Sequence, residues 1–284
     1  MDAIILFSHG SVLCGAERNV MAVAQRMRES GAAPIVEVGF VNYTEPTFAA
    51  AVARCVEQMA TRIVIAPYFL VAGKFVTREL PGEIAQARKD HPSIEFAVAG
   101  VIGFHELLAD AILSSAEGAR PPAAHSATLR EASAWCREDP KCPLYGSDVL
   151  SCEVAGGHVK ALLIMAHGSP RPEANDDIRR IADVLRARGT HAVVTIGYLD
   201  CNDPDIAAAV DECVAAGATE IAAVPYFLHS GKHMLRDLPE ILEAAAVRHP
   251  GVKIAMGDYI GQEPQIAAVL LDRVQTAMGR ASSE

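Results

Sequence analysis

Short runs of β-branched and small apolar residues alternate along this chain with longer stretches whose apolar positions recur at helical spacing. The first kind predicts strands at about 3–8, 34–40, 62–67 and 94–99, and again at about 160–166, 192–198, 219–225 and 252–257. The second predicts helices near 15–30, 46–59, 77–90 and 104–117, then near 174–188, 204–216, 234–248 and 263–279. Runs such as Ala161-Leu-Leu-Ile-Met-Ala166 are apolar at every position, the pattern of strands covered on both faces. Asp203-Pro204 reads as an N-cap followed by proline at the first helical position. Strand and helix in strict alternation imply two parallel sheets flanked by helices.

The two series are one unit used twice. Pro67 to Pro81 lies over Pro225 to Pro239 at an offset of 158, with nine of fifteen positions identical. The same offset carries His9-Gly10-Ser11 onto His167-Gly168-Ser169, Gly39 onto Gly197, Pro46 onto Pro204, Cys55 onto Cys213, and His91-Pro92 onto His249-Pro250. A period this long marks a duplicated domain and not a solenoid module. The chain therefore divides into copy one at 1–118, an insert at 119–159 and copy two at 160–284. The insert has no counterpart in either copy; it holds Trp135 and three cysteines, with room for a short helix around 128–137.

Composition narrows the classes. With 284 residues, about half of them apolar, the chain can bury two ordinary cores. A net charge of −10 argues against non-specific nucleic-acid binding, which needs a basic surface. The N-terminal segment lacks a basic region before its apolar run, and no run is long enough to span a bilayer, so the expected compartment is the cytoplasm with no membrane partner. Seven scattered cysteines do not suggest a disulfide framework.

In an open parallel sheet, ligands bind outside the carboxyl ends of the strands. In copy two those ends carry His167-Gly-Ser, Asp200 to Asp203, His229 to His233, and Gly257-Asp258, so His167 and His233 converge on one rim from different loops. Neither a G-x-G-x-x-G fingerprint nor a P-loop nor a G-x-S-x-G elbow is present, which counts against nucleotide binding and serine hydrolysis. Paired histidines without cysteine suit a labile divalent metal better than a closed structural zinc.

His-Gly-Ser after a first strand, the loop Phe227-Leu-His-Ser-Gly-Lys-His-Met-Leu-Arg-Asp-Leu-Pro after a third, and the duplicated α/β unit resemble the class II tetrapyrrole chelatases of the sirohydrochlorin cobaltochelatase and ferrochelatase type. The resemblance covers both copies and implies two chelatase-like domains facing across a cleft. It implies a lyase inserting Co2+ or Fe2+, the metal being a substrate, into sirohydrochlorin on the way to cobalamin or sirohaem. Carried over by position, His167 and His233 are the catalytic and metal-binding pair, and His229 is a further metal candidate. Ser169, Arg171, Gly231, Lys232 and Arg236 are expected to receive the carboxylate-rich substrate.

Copy one departs from the pattern, since Phe75 stands where copy two has His233. The resemblance casts copy one as an opposite wall, with His9, Glu45 and Phe75 as substrate contacts, joined by Tyr43, Phe69, Lys74 and Arg78, while His105 keeps open a second site. In the insert, Cys136, Cys142 and Cys152 are candidate iron–sulfur ligands, with Cys14 as a possible fourth. The spacing lacks C-x-x-C, and unliganded thiols are the favoured reading. The alternative to catalysis is a non-catalytic metal or tetrapyrrole carrier. Sequence leaves monomer and homodimer both open.

Overall fold

A computed structural model describes residues 1–10, 17–122 and 159–281. The helix expected around 128–137, together with Cys14, Cys136, Cys142 and Cys152, lies outside the described residues. Copy one forms strands β1 (Asp2–Ser8), β2 (Ile35–Phe40), β3 (Arg62–Pro67) and β4 (Glu95–Val98), and helices α1 (Arg18–Glu29), α2 (Phe48–Glu57), α3 (Leu80–Asp90) and α4 (Leu107–Glu117). Copy two repeats the series as β5 (Lys160–Ala166), β6 (Val193–Tyr198), β7 (Glu220–Pro225) and β8 (Lys253–Met256), with α5 (Glu173–Arg188), α6 (Ile206–Ala215), α7 (Leu238–Arg248) and α8 (Gln265–Ala281).

Each sheet is parallel and four-stranded, ordered β2-β1-β3-β4 in one and β6-β5-β7-β8 in the other. The first strand of each copy is central, and its interior positions, Ala3 to Phe7 and Ala161 to Met165, are buried. The edge strand β8 alternates, burying Ile254 and Met256, while β4 buries Phe96 alone. Between β1 and β2 the connection runs through α1, where Arg28 donates from Nε and Nη2 to the Val36 carbonyl; Arg186 does the same to Val194 in copy two. That clamp ties each helix end to the neighbouring edge strand.

Two local readings change. The helix after β6 begins at Ile206, capped by Asp205, whose carboxylate accepts from Ala208 N at 2.7 Å. Asp203-Pro204, expected as cap and first helical residue, lies before it as a cis peptide bond, matched by cis Glu45-Pro46 in copy one. The helices expected from 77 and 234 open with π-turns, Phe75–Glu79 and His233–Asp237. Pro81 and Pro239 explain the widening, because a proline ring has no N–H to donate and strikes the carbonyl four residues back. The amides of Leu80 and Leu238 bond five residues back instead, to Phe75 and His233.

Packing cuts the chain in a different place from the repeat. One compact unit comprises Met1–Leu107 and Pro264–Glu284, the other Leu108–Glu263. Thus α8, the last helix of copy two, packs with the sheet of copy one, and α4 packs with the sheet of copy two. In the first unit Arg273 of α8 donates to the carbonyls of Val101, Ile102 and Phe104 at 2.7–3.3 Å. In the second, the buried Ser115 of α4 donates to the Asp258 carbonyl, and Gly257 leaves room for its backbone. Among the described residues, no helix is long and apolar enough to cross a membrane.

Candidate metal site at the strand ends of copy two

His167 follows β5 directly and is exposed; His233 opens the π-turn after β7 and keeps 45% of its side-chain surface. Their ring centroids are 5.2 Å apart with the planes perpendicular. Two loops separated by more than sixty residues thus bring two imidazoles into contact at one rim.

The loop bearing His167 is held from behind. Asp200 N donates to the His167 carbonyl at 2.9 Å, extending the β5–β6 pairing past the strand ends. Gly168 adopts φ +88, and a side chain there would collide with the Asp200 carbonyl, so the position needs glycine on both counts. Asn202 Oδ1 accepts from Ser169 N at 2.7 Å and from Asn175 Nδ2 at 3.1 Å, while Asn175 Nδ2 also donates to the Ser169 carbonyl at 3.2 Å. The backbone amide of Ser169 fixes which end of Asn202 is oxygen, and that fixes the orientation of Asn175. Asn175 is 4% exposed. Ser169 Oγ accepts from Arg171 N at 3.1 Å, so the serine shapes the turn.

His233 Nδ1 lies 2.8 Å from Asp237 Oδ2, and Arg236 Nε donates to Asp237 Oδ1 at 3.2 Å. Burial is the largest single influence on the Asp237 carboxyl and pushes it up. The hydrogen bonds from His233 and Arg236, with the nearby charges of Lys232 and Arg236, outweigh burial and hold it below the ordinary carboxylate range. Arg236, expected at the substrate carboxylates, is thus engaged with Asp237; Lys232 and Arg171 are exposed. His229 and Gly231 are half-buried on the same loop, and the ring contact at this rim is made by His167 and His233. Among the described residues, no group of three or more His, Cys, Asp or Glu converges on a metal position.

Copy one keeps the backbone and loses the pair. His9 packs on Phe75 (centroids 5.9 Å, 30° between planes) and on Phe69 (6.1 Å), and the two phenylalanines stack at 5.9 Å. Lys74 pairs with Glu79 at 3.2 Å, and Glu45 Oε2 accepts from Thr47 N at 3.0 Å. Tyr43 and Arg78 are exposed. His105 accepts from Leu107 N through Nδ1 at 3.2 Å, a local cap on α4, and its Nε2 lies 3.9 Å from Asp272 Oδ2.

Sequence reasoning missed Asn175, Asn202 and Asp237. Asp237 carried a signal, standing four residues after His233 within Arg-Asp-Leu-Pro. Asn202 lies within the rim segment Asp200 to Asp203, but nothing in the sequence ties it or Asn175 to Ser169, whose backbone they hold while bonding each other.

Comparison with known proteins fits this geometry. The CbiX family model matches twice, at 3–119 and 161–277. A sirohydrochlorin cobaltochelatase of Priestia megaterium is 22% identical over 283 residues, covering 98% of this chain and 80% of the relative. A sirohydrochlorin ferrochelatase of the same organism is 22% identical over 278 residues, covering 98% and 91%. Among solved structures, the sirohydrochlorin chelatase SirB from Bacillus subtilis subspecies spizizenii in complex with cobalt aligns with a TM-score of 0.70 at 22% identity, covering 99% of this chain and 97% of that one. SirB from Bacillus subtilis with Fe3+ aligns with a TM-score of 0.75 at 20% identity, covering 100% and 98%. With the family model matched over most of its length, in both copies, this chain belongs to the CbiX family.

Proposed function

We propose that the chain is a lyase that inserts a divalent metal, Co2+ or Fe2+, into sirohydrochlorin in cobalamin or sirohaem biosynthesis, with His167 and His233 as metal ligands and proton acceptors. The observation that carries this reading is the contact between the two imidazoles at the strand ends of copy two. Rings bound through nitrogen at about 2.0–2.1 Å place their centroids about 3.2 Å from an ion, and a tetrahedral angle then separates the centroids by about 5.2 Å. The rings stand 5.2 Å apart. One ion shared by both is therefore compatible with their spacing.

The chemistry suits two ligands and not four. Metal entry requires two pyrrole N–H protons to leave, and a neutral imidazole both holds a borderline metal and accepts a proton near neutral pH. An ion held by two side chains keeps open positions through which the macrocycle nitrogens displace solvent; a closed four-ligand cage would retain the ion. Exposed Arg171 and Lys232 sit on the two loops that carry the histidines, which supports a role for them in receiving substrate carboxylates. In copy one the packing of His9 against Phe69 and Phe75 supports an apolar contact and no second pair.

The test follows sirohydrochlorin absorbance after anaerobic addition of Co2+ or Fe2+. The wild-type chain is expected to accelerate the spectral change catalytically and His233→Ala to abolish the acceleration. Stoichiometric binding of the macrocycle with no acceleration by the wild-type chain would make the protein a carrier and refute the reading.

A further inference from the structure

We propose that Asp237 is a positioning residue that fixes the tautomer of His233, holding the proton on Nδ1 so that Nε2 carries the lone pair offered to the metal; this rests on the reading of His233 given above. A carboxylate accepts hydrogen bonds and donates none when ionised. The 2.8 Å contact between Asp237 Oδ2 and Nδ1 therefore assigns the N–H to Nδ1, and a neutral ring then has its lone pair on Nε2. Each carboxylate oxygen has its own partner, since Oδ1 accepts from Arg236 Nε at 3.2 Å. With both ends engaged, the carboxylate is held against rotation, and the imidazole with it. Carboxylates behind metal-bound histidines orient the ring in this way.

The duplicate supplies an internal control. Copy one retains the π-turn, with Phe75 at its first position and Glu79 at its last, so the backbone that brings positions one and five together does not depend on the histidine. Where the imidazole is absent, the acidic side chain turns to Lys74 at 3.2 Å. In copy two the acid is shorter by one methylene, and it meets the ring. A mere surface ion pair would have served the lysine in both copies.

The experiment reads the tautomer directly, by long-range 15N–1H correlation of the intact, metal-free chain carrying 15N-labelled histidine at mildly alkaline pH. His233 is expected as the Nδ1–H form in the wild type, and as the Nε2–H form preferred by free imidazole in Asp237→Ala. Asp237→Asn has one oxygen for two donors; with that oxygen kept by Arg236 its NH2 faces Nδ1, so the Nε2–H form is expected there, whereas Asp237→Glu keeps two acceptor oxygens and is expected to hold the Nδ1–H form. In the chelation assay, Asp237→Ala should lose about 10–100-fold in kcat/KM, Asp237→Asn should lose at least as much, and Asp237→Glu should recover most of that loss. A wild-type ring in the Nε2–H form, or a ring unchanged in Asp237→Ala, overturns the proposal whether or not the chain chelates. Conversely, the expected tautomers in a chain that fails to accelerate metal insertion would remove the function and leave the positioning intact.

Discussion

Asn175 offers the sharpest test of how the His167 loop is held. It is buried on α5, and its amide nitrogen donates to the Ser169 carbonyl at 3.2 Å and to Asn202 Oδ1 at 3.1 Å. Asn175→Ala removes both bonds and leaves the Ser169 carbonyl without this donor; Asn202 still receives Ser169 N. Two neutral hydrogen bonds of ordinary length are worth about 1 kcal/mol each, so the expected loss is about 1–3 kcal/mol. Asn175→Asp is nearly isosteric yet replaces the donor by a carboxylate facing two acceptor oxygens. Burial and those oxygens would raise its pKa, so its destabilisation is greatest at neutral pH and diminishes as pH falls and the group protonates. Urea unfolding should rank the wild type above Asn175→Ala and that above Asn175→Asp at pH 7. The gap between the two variants should narrow toward about pH 5. An aspartate variant as stable as the wild type at pH 7 would refute the network, since no hydrogen-bond arrangement in which Asn175 donates twice survives that change.

Other consequences are open to direct measurement. Arg273→Ala withdraws a charged donor from three carbonyls and is expected to cost about 2–4 kcal/mol by urea unfolding. Arg273→Lys should recover less than half of that, because an ammonium cannot present the planar fork. Phe75→His places an imidazole beside His9 on the retained π-turn, and Co2+ titration by equilibrium dialysis should rise from about one bound ion per chain to about two. Hydrogen bonds from His249 at 2.6 Å and Arg248 at 3.1 Å hold the exposed Asp211 carboxyl below its ordinary value of 3.8. A depressed folded-state pKa contributes stability that is present above the ordinary value and lost as pH falls through the depressed one. Asp211→Asn should therefore lower the urea midpoint near pH 6 and make no difference near about pH 2.

Much of this molecule is written in its local pattern. Every predicted strand forms within a residue of its expected limits, because apolar runs of that length bounded by polar turns have few other solutions. The convergence of His167 and His233 followed from topology alone, since parallel strands deliver their following loops to one rim. What the pattern does not encode is partnership. The stretch 104–117 reads as a helix with an apolar face, and periodicity is silent on which sheet that face covers; Ser115 against Gly257 and Asp258 settles it. Asp203-Pro204 carried the composition of a helix start, but the backbone capping is done two residues later by Asp205. Asn202 sits in a loop whose sequence looks like any polar turn, and its meaning lies in Ser169, thirty-three residues away.

The central claim is that His167 and His233 act as one metal-transferring unit. It is tested most directly by the anaerobic rate of Co2+ insertion into sirohydrochlorin for the wild type, His167→Ala, His233→Ala and the double variant. Groups that work as a unit lose nearly everything on the first substitution, so the two single variants and the double variant should share one residual rate. Losses that multiply in the double variant, or a single variant that keeps the wild-type rate, would show that the two imidazoles do not share one ion and would contradict the account.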